Sequence, residues 1–176
     1  KMRENIMRHS FRVRDVAVFL AARLIEVGHQ LDIKLVEAAA LLHDITKTRG
    51  LITGERHAET GRSMLEEMGY PCVARVVGNH VRLRTGISPG RITEDEVVNY
   101  ADKRVMHDTI VGIEERYADL RERYGTNEKS MTFLNQMEAE TRDLEEKIFT
   151  ELDLNPSSIR NIPETNDHLP DSQQLA

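Results

Sequence analysis

The chain has one cysteine, no tryptophan, and aromatic residues at only 5% of its 176 positions. A lone Cys72 excludes an intramolecular disulfide framework, so nothing in the sequence points to an oxidising compartment. With so few rings, the core must be built from aliphatic side chains, a composition that suits packed helices. No apolar run approaches the roughly 20 residues needed to span a bilayer, and the basic start KMRENIMRHS lacks the apolar centre of a secretory leader. A net charge of −6 gives no overall electrostatic footprint for nucleic acid. These absences lead to the expectation of a cytoplasmic protein, one domain in size, that binds neither membrane nor nucleic acid.

What is present is helical periodicity. Apolar residues at 6, 13, 16, 17, 20, 24 and 27 mark one face of a helix that Gly28 ends. Asp32 is suited to cap a second helix, IKLVEAAALLHDI, which is apolar nearly all round and therefore central. The segment TKTRGLITGER reads as a polar loop, a helix covers 57–68, and YPCVARVVGNHV begins another with Pro71 in its first turn. Thr93 and Glu96 form a capping box that opens one long helix or two in succession. Apolar residues at 134, 137, 144, 148 and 152, with Thr141 in register, mark a last helix whose stripe also offers a seam for a homodimer. Met7 with Met106 and Met64 with Met68 read as core filling, and Tyr100 and Tyr117 as packing. The expected architecture is all-α, a compact bundle of about six to seven helices over 1–152, followed by a polar tail at 153–176 that is extended, strapped over the surface or disordered.

Within this pattern several ionisable residues fall on apolar faces. His9 continues the stripe of the first helix inward. His43 and Asp44 end the most apolar helix, His57 shares a face with Gly61 and Leu65, His80 extends the stripe of Val73, Val76 and Val77, and Asp102 sits between Val98 and Val105. His29, His107 and His168 fall outside these faces. A single inward histidine is usually a core residue satisfied by one hydrogen bond. Four of them with two carboxylates, and no lysine or arginine evident on the same faces, leave buried charge that a divalent cation held by imidazole and carboxylate would compensate.

The ordered set of His9, His43 with Asp44, and Asp102, in the contexts RHSFRVRDVA, EAAALLHDITK and ITEDEVVNYADKRV, resembles the HD-domain superfamily of metal-dependent phosphohydrolases. The resemblance implies an HD-type helical fold and a divalent transition metal, one or two ions of Fe, Mn, Zn, Co or Ni. Further histidines between the pair and the last aspartate hold a second metal in binuclear members, which places His57 and His80 in that role. Two adjacent histidines, carried by the cyclic-di-GMP phosphodiesterases among others, are replaced here by His80 and Val81, and the glycine-tyrosine-proline signature is missing. The likeness is nearer to small bacterial hydrolases acting on nucleotides.

On this reading His9, His43, Asp44 and Asp102 hold one ion, while His57, His80 and a shared Asp44 oxygen hold the other. Water is the nucleophile for a phosphoester or phosphoanhydride of a nucleotide or related small metabolite. Asp44 and Lys47 carry the chemistry, with Lys47, Arg82 and Arg84 expected to bind substrate phosphate. Two alternatives keep the same ligands: a metal-stabilised sensor without turnover, and a di-iron oxygenase.

Overall fold

A computed structural model describes residues 2–165. Its centre is α1 (Glu4–Glu26), where Val13, Val16, Ala17, Leu20, Ala21 and Leu24 are fully buried and Gly28, at φ +103°, turns the chain away. Asp32 then accepts hydrogen bonds from the N–H groups of Lys34 and Leu35 and starts α2 (Ile33–Leu42), as its sequence position predicts. Ala39 and Ala40 let α2 pack closely on α1, and both helices reach α6 (Glu94–Lys103) on another side. The hairpin of helices α4 (His57–Glu67) and α5 (Pro71–Asn79) closes a small satellite core of Leu65, Ala74 and Val77. Next come α7 (Ile113–Tyr124) and α8 (Glu128–Leu152), which pack on each other.

The all-α expectation holds, with differences that have physical causes. The expected loop at 46–56 contains a short helix, α3 (Lys47–Thr53), closed by Gly54 at φ +77°; none of its residues is buried, so it left no apolar stripe to read. Of the two arrangements expected after Thr93, two helices in succession are found, α6 and α7, with an unexpected strand pair between them. After α6, β1 (Val105–Met106) and β2 (Thr109–Ile110) form a minimal antiparallel hairpin with His107 at φ +58° in its turn. Thr93 and Glu96 make the predicted capping box, and Glu96 also receives Lys147 from α8, fixing the start of α6. Tyr100 and Tyr117 are fully buried, whereas Met64 and Met68 are exposed and fill no core.

The stripe of α8 is used on the body itself, where Leu134, Met137, Leu144, Ile148 and Leu152 are buried and Thr141 Oγ1 meets Tyr117 Oη at 2.7 Å. Beyond the expected boundary at 152, residues Pro156–Asn161 form a 3-10 turn that buries Ile159 completely and Ile162 nearly so. Arg12 donates to the Ile162 carbonyl at 2.7 Å and Arg104 to the Pro156 carbonyl at 3.2 Å. The first part of the polar segment is thus packed, because two isoleucines three apart supply an apolar face amid polar neighbours. The rest of the expected tail, with His168, lies outside the described residues. Among those described, no helix is long and apolar enough to cross a membrane.

Candidate metal centre

Five segments deliver the six sequence-selected ligands to one place, mostly from helix ends. His9 comes from the second turn of α1, His43 and Asp44 from the end of α2, His57 from the first residue of α4, His80 from the end of α5, and Asp102 from the last turn of α6. His9 Nε2 lies 3.1 Å from Asp102 Oδ1, and His43 Nε2 lies 3.7 Å from the same oxygen and 3.3 Å from Asp44 Oδ2. On the other side of the carboxyl, Asp44 Oδ1 lies 3.2 Å from His57 Nε2 and 3.6 Å from His80 Nε2. Two ligand groups result, His9 with His43 and Asp44, and His57 with His80 and Asp44, and Asp44 belongs to both. His57 is the half-buried member of the set.

Local backbone geometry orients the rings. The Nδ1 atoms of His43 and His80 lie 2.7 Å and 2.6 Å from the carbonyls of Ala40 and Val77, each three residues back on its own helix. Both carbonyls lie in the last turn of their helices, where acceptors lack a full set of intrahelical partners, and Val77 also accepts the His80 backbone N–H, so each imidazole adds a hydrogen bond to its own helix end. His9 Nδ1 makes the same kind of contact, 2.8 Å, with the carbonyl of His107 in the hairpin turn. If Nδ1–H donates in all three, each Nε2 is left as a lone pair facing the centre, the tautomer that metal binding requires. His107, set aside in the sequence as incidental, thus contributes through its backbone; its own side chain is exposed.

Two buried atoms at the centre, His43 Nε2 and Asp44 Oδ1, make no hydrogen bond, since their neighbours stand at ion-pair distance but off alignment. His57 Nε2 and His80 Nε2 face each other at 3.1 Å, an arrangement that needs a proton or a cation between them. Orphaned donor atoms, converging Nε2 lone pairs and a two-faced carboxylate together fit one or two divalent ions bound by nitrogen and oxygen.

Electrostatics supports the same reading and corrects one expectation. A lysine does share the inward faces: Lys103, nearly fully buried, donates to Asp102 Oδ2 and to the His80 carbonyl, both at 2.7 Å. Asn99, one turn earlier on α6, donates to the same carbonyl at 3.0 Å. Lys47 Nζ lies 2.6 Å from Asp44 Oδ2, so each carboxylate has its own ammonium. Buried charge alone therefore does not demand a metal, and the orphaned atoms carry that argument instead. Burial drives Asp44 toward its neutral form, but the charge of His43 and the rings of His43, His57 and His80 outweigh it and hold the carboxyl well below its usual range. Asp102 is likewise raised by burial and brought down further by Lys103, His9 and His43. Burial lowers His80 to about 4 and lowers His9, keeping both rings neutral near pH 7. Burial also acts downward on His43, but the neighbouring carboxylates of Asp44 and Asp102 outweigh it and raise this ring above its ordinary value.

A chamber of about 230 Å³ opens over the centre, bordered by Asp44, His57, His80 and Asp102 together with Lys47, Lys103, Arg116 and Arg123. It meets a cleft of about 560 Å³ beside His9 that shares Asp44, Lys47, Arg116 and Arg123. Arg82 and Arg84 line neither; they border a more apolar groove beside His57 and Phe133, where Arg82 pairs with Glu140 at 2.6 Å. Lys103, Arg116 and Arg123 escaped the sequence reading. Lys103 adjoins Asp102, and Arg116 and Arg123 share a face at a seven-residue spacing, but only the fold turns that face of α7 toward the ligands.

A family model described as HD domain matches residues 6–162. An uncharacterized protein of Methanocaldococcus jannaschii is 28% identical over 141 residues, covering 73% of this chain and 82% of that one. No solved structure matches the chain.

Proposed function

This chain belongs to the HD domain family, whose members are generally metal-dependent phosphohydrolases, and on that premise we propose that it hydrolyses a phosphoester or phosphoanhydride bond in a nucleotide or related small phosphorylated metabolite. The observation that carries the reading is Asp44, whose two oxygens face separate histidine groups while Oδ1 and the neighbouring His43 Nε2 lack hydrogen bonds. His9, His43, Asp44 and Asp102 would hold one ion, and His57, His80 and Asp44 the other. When bound, divalent ions would supply Lewis acidity that lowers the pKa of water, so that hydroxide is available as nucleophile near neutral pH.

The chain's own groups do the rest. The carbonyls of Ala40, Val77 and His107 hold three imidazoles in fixed orientation. Lys103 and Asn99 tie the end of α5 to α6, so the two ligand groups keep a fixed separation. Lys47 rests on Asp44 Oδ2 and has two further N–H donors for a substrate phosphate oxygen. The wall of Leu120, Phe133, Leu134 and Met137 limits water around the reacting group.

Metal analysis of purified protein, followed by phosphate release from monoesters, diesters and nucleoside polyphosphates with manganese, iron or cobalt, tests the reading. Wild type should turn over at least one substrate, and Asp44→Asn should lose metal and activity together. A fully metal-loaded protein that releases phosphate from none of them would instead be a sensor or binding module.

A further inference from the structure

The geometry points to Arg116, assisted by Arg123, as the residue that binds a second, non-reacting phosphoryl group, so that the chamber favours phosphoanhydrides over simple monoesters. This rests on the hydrolase reading for its biological meaning, but its physical basis is separate.

Arg116 is buried, with its side chain 9% exposed, and its Nε makes no hydrogen bond within the protein. Its carboxylate contact is a single one, from Nη1 to Asp119 Oδ2 at 3.3 Å, and Arg123 also donates to that oxygen. One carboxylate thus serves two guanidinium groups at i, i+3 and i+7 along α7. A buried guanidinium with unused donors is costly unless something anionic completes it. Other cations around the centre are already engaged. Lys47 is held by Asp44 and Lys103 by Asp102 and the His80 carbonyl, and Arg8 at the cleft mouth by Glu4 at 2.5 Å. Arg116 therefore keeps donor capacity where the chamber meets the cleft, since it lines both.

The charge count agrees. The chamber is lined by four cationic side chains, Lys47, Lys103, Arg116 and Arg123, and two carboxylates, Asp44 and Asp102; with Asp119, which serves both arginines, an excess of one positive charge remains before any divalent ion is added. A phosphomonoester brings about two negative charges at most near pH 7, enough to offset the side chains alone. A second phosphoryl group adds the remaining negative charge, and the planar guanidinium can take two of its oxygens at once.

The test is titration calorimetry of the metal-loaded protein with inorganic orthophosphate and pyrophosphate, metal content being measured on every sample. Wild type is expected to bind pyrophosphate at least about tenfold more tightly. In Arg116→Gln, pyrophosphate affinity should fall about ten- to hundredfold, the range for losing charge-assisted hydrogen bonds, with orthophosphate affinity and metal content little changed. Asp119→Asn, which frees both guanidinium groups, should tighten pyrophosphate binding severalfold and decides the matter if Arg116→Gln does not fold. Equal binding of the two anions by wild type, or pyrophosphate affinity unmoved in either variant, overturns the proposal. Pyrophosphate binding that depends on Arg116 without turnover of any phosphoester or phosphoanhydride would sink the hydrolase reading and leave this one standing.

Discussion

Replacing Lys103 with methionine keeps most of the side-chain volume and removes the ammonium that holds Asp102 to the His80 carbonyl. Both ends of the ion pair are secluded, with Lys103 4% and Asp102 10% exposed, so the pair is little screened by solvent. Breaking one side of such a pair leaves an uncompensated buried carboxylate, at about 3–5 kcal/mol. Against a native stability of about 5–15 kcal/mol that is a large loss. With a urea dependence of about 2–3 kcal/mol/M, the unfolding midpoint of the metal-free protein should fall by about 1–2.5 M. In the metal-loaded protein a cation beside Asp102 takes over the compensation, and the loss should be roughly half as large or less. Adding Asp102→Asn removes the stranded charge, so the double variant should recover about 1–3 kcal/mol relative to additivity. Circular dichroism against urea, with and without metal, reads all of these. A metal-free Lys103→Met protein within about 1 kcal/mol of wild type would refute the reasoning, because the buried carboxylate would then need no lysine.

Acid should destabilise the metal-free protein in a window set partly by His80. Its folded pKa of about 4 lies below the ordinary 6.5, so the unfolded chain takes a proton that the fold refuses, and stability falls as pH drops from 6.5 toward 4. The accumulated loss is about 3 kcal/mol, and His80→Gln should flatten that slope in stability curves measured at several pH values. His43, raised by Asp44 and Asp102 against its burial, works with the opposite sign: it adds stability below 6.5 that disappears as pH rises through its folded pKa. A β-carbon at Gly50 would meet the Glu55 carbonyl oxygen at 2.9 Å and the His57 β-carbon at 3.3 Å. Gly50→Ala should therefore displace His57 and lower metal stoichiometry at the His57–His80 group, read by elemental analysis, while His9 and His43 keep their ion. Ile159→Ala, at a fully buried position beyond α8, should cost about 2–5 kcal/mol in urea unfolding, whereas an unpacked tail would register almost nothing.

Residues whose neighbours lie along one helix were legible in the sequence. Asp32, Thr93 with Glu96, and Gly28 mark helix ends through interactions a few residues long, and the structure uses them as such. All six candidate ligands were legible as polar interruptions of apolar stripes, because a helical repeat announces an inward residue wherever it occurs. Where the reading failed, a tertiary neighbour decided the outcome. Lys103 looks like an ordinary charged residue near a helix end until α5 brings the His80 carbonyl against it. Arg116 lies among glutamates and arginines that suggest a solvated helix, and the packing of α7 on α8 turns it inward. Met64 and Met68 continue a plausible stripe, but the satellite core of Leu65, Ala74 and Val77 is too small to cover them. The His107 carbonyl could not be found from side-chain type, since its contribution comes from a backbone turn.

The contact between His9 and Asp102 joins residues 93 positions apart in a chain whose single cysteine offers no internal covalent tie. A cation gripped by both would close a loop of that length, and the entropy removed from the unfolded chain is comparable to that of a disulfide spanning it, about 4–5 kcal/mol. The same atoms would then act as a reversible cross-link between the first helix and the sixth. A chelator would cut that link and loosen the seam between α1 and α6, exposing its backbone to proteolysis before the α4–α5 hairpin is touched.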